Sequence, residues 1–179
     1  HMQVMRGLLE SKNYDVLENY LLDMERDPAL QKIVRLYDNT VLNVILVHHA
    51  SICKSLGIDV DFDIRQHSVD FISAHDITAI FDNLLTNAEE AAKNTSEKYI
   101  KLSATQQGET GVLITVINSC NSAPDMDDDG NIKTKKKDKE HHGVGLKSVK
   151  QAVQRYHGVS RMYYSNEENR FHSVIHLTK

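Results

Sequence analysis

The chain has 179 residues, 40% of them apolar and 26% charged, and 21 Lys plus Arg against 25 Asp plus Glu give a formal charge of −4. That length suits one compact domain, or one domain with an appendage, and the apolar share can fill a core, which excludes global disorder. The mild acidity argues against nucleic acid as partner, no apolar run approaches the roughly 20 residues of a membrane-spanning helix, and Cys53 and Cys120 make neither a disulfide framework nor a zinc spacing.

The first part reads as helix. Val4 to Leu9 is a short apolar segment broken by Ser11-Lys12-Asn13. From Asp15 to Arg26, Val16, Leu17, Tyr20, Leu21 and Met24 fall on one face. Asp27-Pro28 supplies an N-cap and a proline at the first helical position. The helix it opens is expected to run to about Leu56 and stop at Gly57. Its stripe is Leu30, Ile33, Tyr37, Val41, Val44, His48 and Ile52, with the alternating spacing of a bundle seam. Val41 to Val47 is apolar almost all round, which predicts a bundle completed by a second copy of the chain.

Beyond Gly57 the pattern changes. Val60, Phe62 and Ile64 alternate with Asp59, Asp61 and Asp63, which predicts a half-buried strand. An amphipathic helix follows from Ser73 to about Lys93. Tyr99 to Gln106 and Val112 to Ile117 read as strands joined by a turn containing Gly108 and Gly111. Residues 119–142 are polar and without period. Helix returns from Val144 to Tyr156, and Arg161 to Tyr164 and Phe171 to Leu177 close the chain as a strand pair. Hairpin-length connections make those neighbours antiparallel. The expected fold is therefore α+β: a two-layer sandwich of a mixed sheet with helices on one face, preceded by a helical hairpin.

Three segments carry candidate chemistry. On the helix around residue 85, Asn83, Asn87 and Glu90 stand at i, i+4 and i+7, sharing one edge beside the stripe of Ile77, Ile80, Phe81, Leu84, Leu85, Ala88, Ala91 and Ala92. Asparagine is a mediocre helix former, and amide oxygens are hard ligands suited to Mg²⁺. A solvated polar edge is the competing reading. The second segment is His142-Gly143-Val144-Gly145-Leu146-Lys147, where two glycines at a helix start let backbone N–H groups approach an anion. Its spacing is neither that of the P-loop nor that of the dinucleotide fingerprint, and a flexible hinge is the alternative. The third is the long loop between them. Its acidic half, Asp125 to Asp129, precedes a lysine-rich half, Lys133 to Lys139, suited to closing over phosphates or to lying solvated. Asp125-x-Asp127-x-Asp129-Gly130 is a decoy for a calcium loop, because Lys136 stands where that loop needs a bidentate glutamate.

Together these pieces resemble the ATP-binding domain of the GHKL superfamily over roughly residues 57–179. Asn83-Leu84-Leu85-Thr86-Asn87-Ala88-Glu89-Glu90-Ala91 resembles the N-box of sensor histidine kinases, and Gly143-Val144-Gly145-Leu146 resembles the G2 box. The stretch from Thr134 to Val149 looks most like the peptide-sensing quorum kinases of Gram-positive bacteria. Met5-Arg6-Gly7-Leu8-Leu9-Glu10 resembles the stretch just after their phospho-acceptor box. The resemblance implies ATP and Mg²⁺ as cofactors, with Asn87 as the metal ligand and Asn83 and Glu90 supporting the phosphate side. It implies that Gly143, Val144, Gly145, Leu146 and Lys147 cradle phosphates, with His142 and Lys137 contacting the outer ones. It further implies a homodimer formed through residues 1–56, a response regulator as partner, and the cytoplasmic part of a receptor anchored in the membrane upstream.

Two departures bear on mechanism. The family's aspartate-glycine G1 motif is replaced by Asn118-Ser119, whose amide can still accept a hydrogen bond from an adenine amino group but without the charge that strengthens it. The acceptor histidine belongs to an upstream box resembling His-Asp-x-x-Asn-His, of which His1, if native, would be the last residue. His48 and His49 are poor substitutes, since a buried imidazole is usually a packed, hydrogen-bonded one. GHKL hydrolases carry a glutamate at the position of Asn83 to activate water. Asn83 cannot act as a base, so the resemblance favours a kinase over an ATPase, with a non-catalytic regulatory dimer as the other alternative.

Overall fold

The computed structural model describes residues 2–19, 37–124 and 144–179. Helix α1 spans Met2–Glu10, and residues 14–19 are helical again after the break at Ser11-Lys12. Helix α2 spans Thr40–Leu56, shorter at its start than the sequence pattern suggests. Residues 37–39 are not helical, and the Asn39 side chain accepts a hydrogen bond from the Leu42 amide as an N-cap. The continuous helix expected from residue 28 is thus corrected: a cap satisfies the first amides of a new helix at Thr40. The early part of that expected stripe, Leu30 and Ile33, lies outside the described residues.

The C-terminal end of α2 falls where expected. Gly57 adopts the left-handed conformation with φ 66°, and the Ile58 amide reaches back to the Cys53 carbonyl at 2.8 Å. The chain then enters β1 (Asp59–Ile64), in which Phe62 and Ile64 are buried and the aspartates exposed.

Helix α3 is composite. It begins as an α-turn at Ala74–Ile77, passes through a π-helical segment at Thr78–Asp82, and continues as α over Asn83–Ala92. Strands β2 (Tyr99–Gln107) and β3 (Gly111–Ser119) form a hairpin, α4 spans Val144–Arg155, and β4 (Val159–Ser165) and β5 (Arg170–Thr178) form a second hairpin. The sheet order is β1-β2-β3-β5-β4, with β1 parallel to β2 and every other pair antiparallel. The single parallel pair requires a crossover, and α3 supplies it.

Alternation along the strands sends Ile100, Leu102, Ala104, Val112, Ile114, Val116, Ile175 and Leu177 to one face, against α2, α3 and α4. The other face carries half-buried side chains such as Lys101, Thr115 and Val174. The expected two-layer α+β architecture is observed. Leu42, Ile45, Leu46, Ala50 and Cys53 of α2 belong to this same core. The chain's own β1 and α3 therefore cover much of the apolar stretch around Val41 to Val47 that the sequence assigns to a second copy. Both cysteines are free, in keeping with their spacing. No helix among the described residues is long and apolar enough to cross a membrane.

A Cβ at Gly57 would meet no atom within 4 Å, so substitution there is strained by its backbone alone. Gly57→Ala is expected to destabilise the fold by about 1 kcal/mol without altering its secondary structure. Chemical denaturation followed by circular dichroism measures this.

Candidate functional site

The site is built on α3. Its buried stripe, Ile77, Ile80, Phe81, Leu84, Leu85, Ala88 and Ala92, lies against the sheet. Ala91, expected in that stripe, is half-buried. With the stripe fixed, the edge of Asn83, Asn87 and Glu90 is turned away from the core: Asn83 and Glu90 are half-buried and Asn87 is exposed. The Asn83 amide is anchored, its Nδ2 donating to the Ala79 carbonyl at 2.6 Å.

The first turn of α4 meets this edge. A Cβ built at Gly145 would lie 2.5 Å from Asn83 Oδ1. Glycine at 145 is thus what allows α4 to approach the Asn83 amide. Leu146 is half-buried and Lys147 exposed on the same turn, and Val144 opens the helix. Lys137, His142 and Gly143 lie outside the described residues.

A polar network fixes the far end of α4 to the start of α3. Ser73 caps α3 through the Asp76 amide. Buried Asp76 accepts hydrogen bonds from Ser73 Oγ at 2.8 Å, Tyr156 OH at 3.0 Å and Arg155 Nε at 3.1 Å. Burial opposes its charge, but these donors, Arg155 foremost, hold its carboxyl below the ordinary range. The cleft between the helices is walled by Thr78, Asp82 and Asn83 on α3 and by Ser148, Gln151 and Arg155 on α4. Asn83 is the residue this cleft shares with the polar edge.

Asn118 is buried on the helix-facing side of β3, opposite Ile100 and Phe171 in the ladder. Its Nδ2 donates to the Ser119 carbonyl at 2.9 Å, which leaves Oδ1 as the acceptor it can offer. The Ser119 hydroxyl pairs with Thr95 Oγ1 at 3.0 Å and accepts from the Tyr99 amide at 3.1 Å. Because Thr95 lies just beyond α3, these bonds join the end of the N-box helix to the strand end bearing Asn118.

Sequence reasoning missed an ion cluster around a buried histidine behind this edge. His49, on α2 and only 1% exposed, places Nδ1 2.7 Å from Glu89 Oε1 and Nε2 3.1 Å from Asp82 Oδ1. A carboxylate can only accept, so both ring nitrogens must carry protons. Burial disfavours that charge, but the hydrogen bonds to Asp82 and Glu89 outweigh it and raise the histidine to about 9. The hydrogen bond to His49 correspondingly lowers Asp82. The neighbouring His48 ring, edge-on at 5.2 Å, is shifted downward by burial and by the charge on His49. The Cys53 thiol donates to Glu89 at 3.7 Å and is pushed upward by burial. Enclosed in this way, His49 has no access to a phosphoryl donor in solution. His48, on the stripe expected to face a bundle, is half-buried.

A family model described as the GHKL domain matches residues 72–177, more than half of the chain. The chain belongs to that family. Solved structures agree in fold. The catalytic domain of the histidine kinase ThkA superposes with a TM-score of 0.58 at 19% identity, covering 80% of this chain and 93% of that one. The mycobacterial sensor histidine kinase MprB gives 0.54 at 15%, covering 77% and 93%. Acinetobacter baumannii histidine kinase AdeS gives 0.52 at 14%, covering 99% and 94%. A search of curated proteins returned none that matches. The fold is that of histidine kinase catalytic domains.

Two outcomes test this geometry. Gly145→Ala must displace the Asn83 amide and is expected to weaken nucleotide binding at least about tenfold, with thermal unfolding shifted by no more than about 1 kcal/mol. Titration with a fluorescent ATP analogue and a melting curve measure the two. The ion cluster predicts a pH dependence. An unfolded histidine titrates near about 6.5, so the stabilisation from His49 is complete below that and is lost as pH rises through about 9. The depressed Asp82 contributes above its ordinary range near about 4 and loses that contribution as pH falls. His49→Gln, which leaves Glu89 and Asp82 without their cation, is expected to cost about 3 kcal/mol at about pH 6 and much less above about pH 9.5. Denaturation of both proteins across that range checks it.

Proposed function

We propose that this chain is the ATP-binding catalytic region of a two-component sensor histidine kinase. On this reading it binds Mg·ATP and transfers the γ-phosphoryl group to a histidine for relay to a response regulator. The observation that carries this is the seating of the Asn83 amide against Gly145, two residues from segments that separately resemble the N-box and the G2 box. ATP binding follows from membership of the GHKL family.

In this mechanism Asn87 is the protein ligand of magnesium, an assignment its exposure on the same edge supports. Mg²⁺ keeps most of its shell as water and phosphate oxygen and needs only one or two protein ligands. Bound there, the ion would neutralise charge on the phosphate oxygens. Asn83 and Glu90 orient the phosphate side, and the turn from Gly143 to Lys147 offers amides and a cation to the phosphates, joined by His142 and Lys137. Asn118 Oδ1 accepts from the adenine amino group. An amide at position 83 abstracts no proton from water, so the site works by positioning and charge neutralisation, and an imidazole nitrogen supplies the nucleophile.

The helical region 1–56 is assigned the dimer contacts, with α1 presenting exposed Val4 and Leu9, and residues 57–179 the catalytic domain with residues 119–142 as its lid. The motif sequence further supports the peptide-sensing quorum subtype. Asn118 in place of aspartate is the one feature favouring a regulatory, non-transferring dimer or a simple ATPase.

Mixing the chain with Mg²⁺, labelled ATP and a separately supplied acceptor helix is expected to yield acid-labile, base-stable phosphohistidine. Nucleotide binding without transfer would favour the regulatory dimer. Asn87→Ala is expected to weaken Mg·ATP binding at least about tenfold while stability changes by no more than about 0.5 kcal/mol, as for other exposed substitutions. Equal losses in binding and folding would make Asn87 structural.

A further inference from the structure

Asp82 precedes the N-box and Glu89 lies within it, seven residues apart on one face of α3, and one imidazole from another helix holds both. Seven residues of α-helix rise about 10.5 Å. The His49 ring and its two hydrogen bonds span much of that distance, so the side chain braces two successive turns. Asn83 and Asn87 lie between the braced positions in sequence and roughly 100° to 140° further round the axis.

The brace sits at the end of the π-helical part of α3. The π-helical segment Thr78–Asp82 ends at the residue that His49 holds. Such segments accommodate an extra residue, and their boundary has no fixed place in a sequence whose apolar spacing suits α-helix throughout. Loss of that extra residue would turn every later side chain by about 100° relative to the residues before it. Asn83 would then leave the Ala79 carbonyl and Gly145.

We propose that His49 is a positioning residue for the nucleotide site, bridging Asp82 and Glu89 so that α3 presents the Asn83–Asn87 edge to the first turn of α4. This rests on the nucleotide-binding reading given above. His49 touches neither nucleotide nor metal ion and acts through the helix it braces. A purely stabilising role would change the melting temperature alone; positioning also changes affinity and the environment of the two asparagine amides.

Affinity for Mg·ADP is measured by calorimetry on the full chain and on His49→Gln, His49→Lys and Asp82→Asn. Side-chain amide resonances of Asn83 and Asn87 are recorded without nucleotide. His49→Gln, at a temperature where circular dichroism shows it folded, is expected to lose at least about tenfold in affinity and to move both amide resonances. His49→Lys returns a cation between the carboxylates and is expected to recover most of the affinity and the original resonances. If His49→Gln fails to fold, Asp82→Asn decides: weakened affinity in a folded protein supports positioning, and unchanged affinity overturns it. Wild-type affinity in folded His49→Gln, whatever its melting temperature, also overturns it. If the unsubstituted chain binds no Mg·ADP, the nucleotide-binding reading itself fails and the positioning role falls with it; if it binds and the variants bind equally, only the positioning role falls.

Discussion

Helix α3 has one rotational setting that meets three demands at once. Its apolar stripe must lie on the sheet, its two carboxylates must reach one buried imidazole, and the Asn83 amide must stand where α4 can approach it with a glycine. The first demand is hydrophobic and broad, because a stripe tolerates a modest rotation with little loss of buried area. The second is electrostatic and narrow, because a buried charge left unpaired costs several kcal/mol. The third is steric and short-ranged. Burial therefore selects the face, while the ion cluster and the glycine set the angle.

The rest of the domain is arranged to hold that helix. The β1–α3–β2 crossover fixes both its ends to neighbouring strands. Ser73, Asp76, Arg155 and Tyr156 tie its start to the end of α4, and Thr95 and Ser119 tie its finish to the end of β3. These polar ties lie outside the apolar core and act at the ends of elements, where backbone groups lack partners of their own. Two segments far apart in sequence, α4 and the end of β3, are thereby tied to the N-box helix.

The strands other than β4 were readable because alternation is a local signal, and the observed limits of all five differ from the expected ones by no more than two residues. The polar edge of α3 was readable for the same reason, from spacings of four and seven. What escaped reading is non-local or mute. Glu89 looks like one more exposed acid beside alanines, and its partner comes from 40 residues earlier in the chain. His49 was noticed only as a possible acceptor, although its neighbours make it a brace. The π-helical segment leaves no trace, because Ile77, Ile80, Phe81 and Leu84 are spaced as in an ordinary α-helix. The break before Thr40 did have a signal in Asp38-Asn39, outweighed by a seam-like spacing that ran through it.

The most direct test follows the side-chain amides of Asn83, Asn87 and Asn118 by NMR during titration with Mg·ADP. A single nucleotide held by the N-box helix, the first turn of α4 and the end of β3 predicts that all three amides shift, saturating together with one dissociation constant. Shifts confined to one of them, or three unmoved amides at saturating nucleotide, would contradict the shared site.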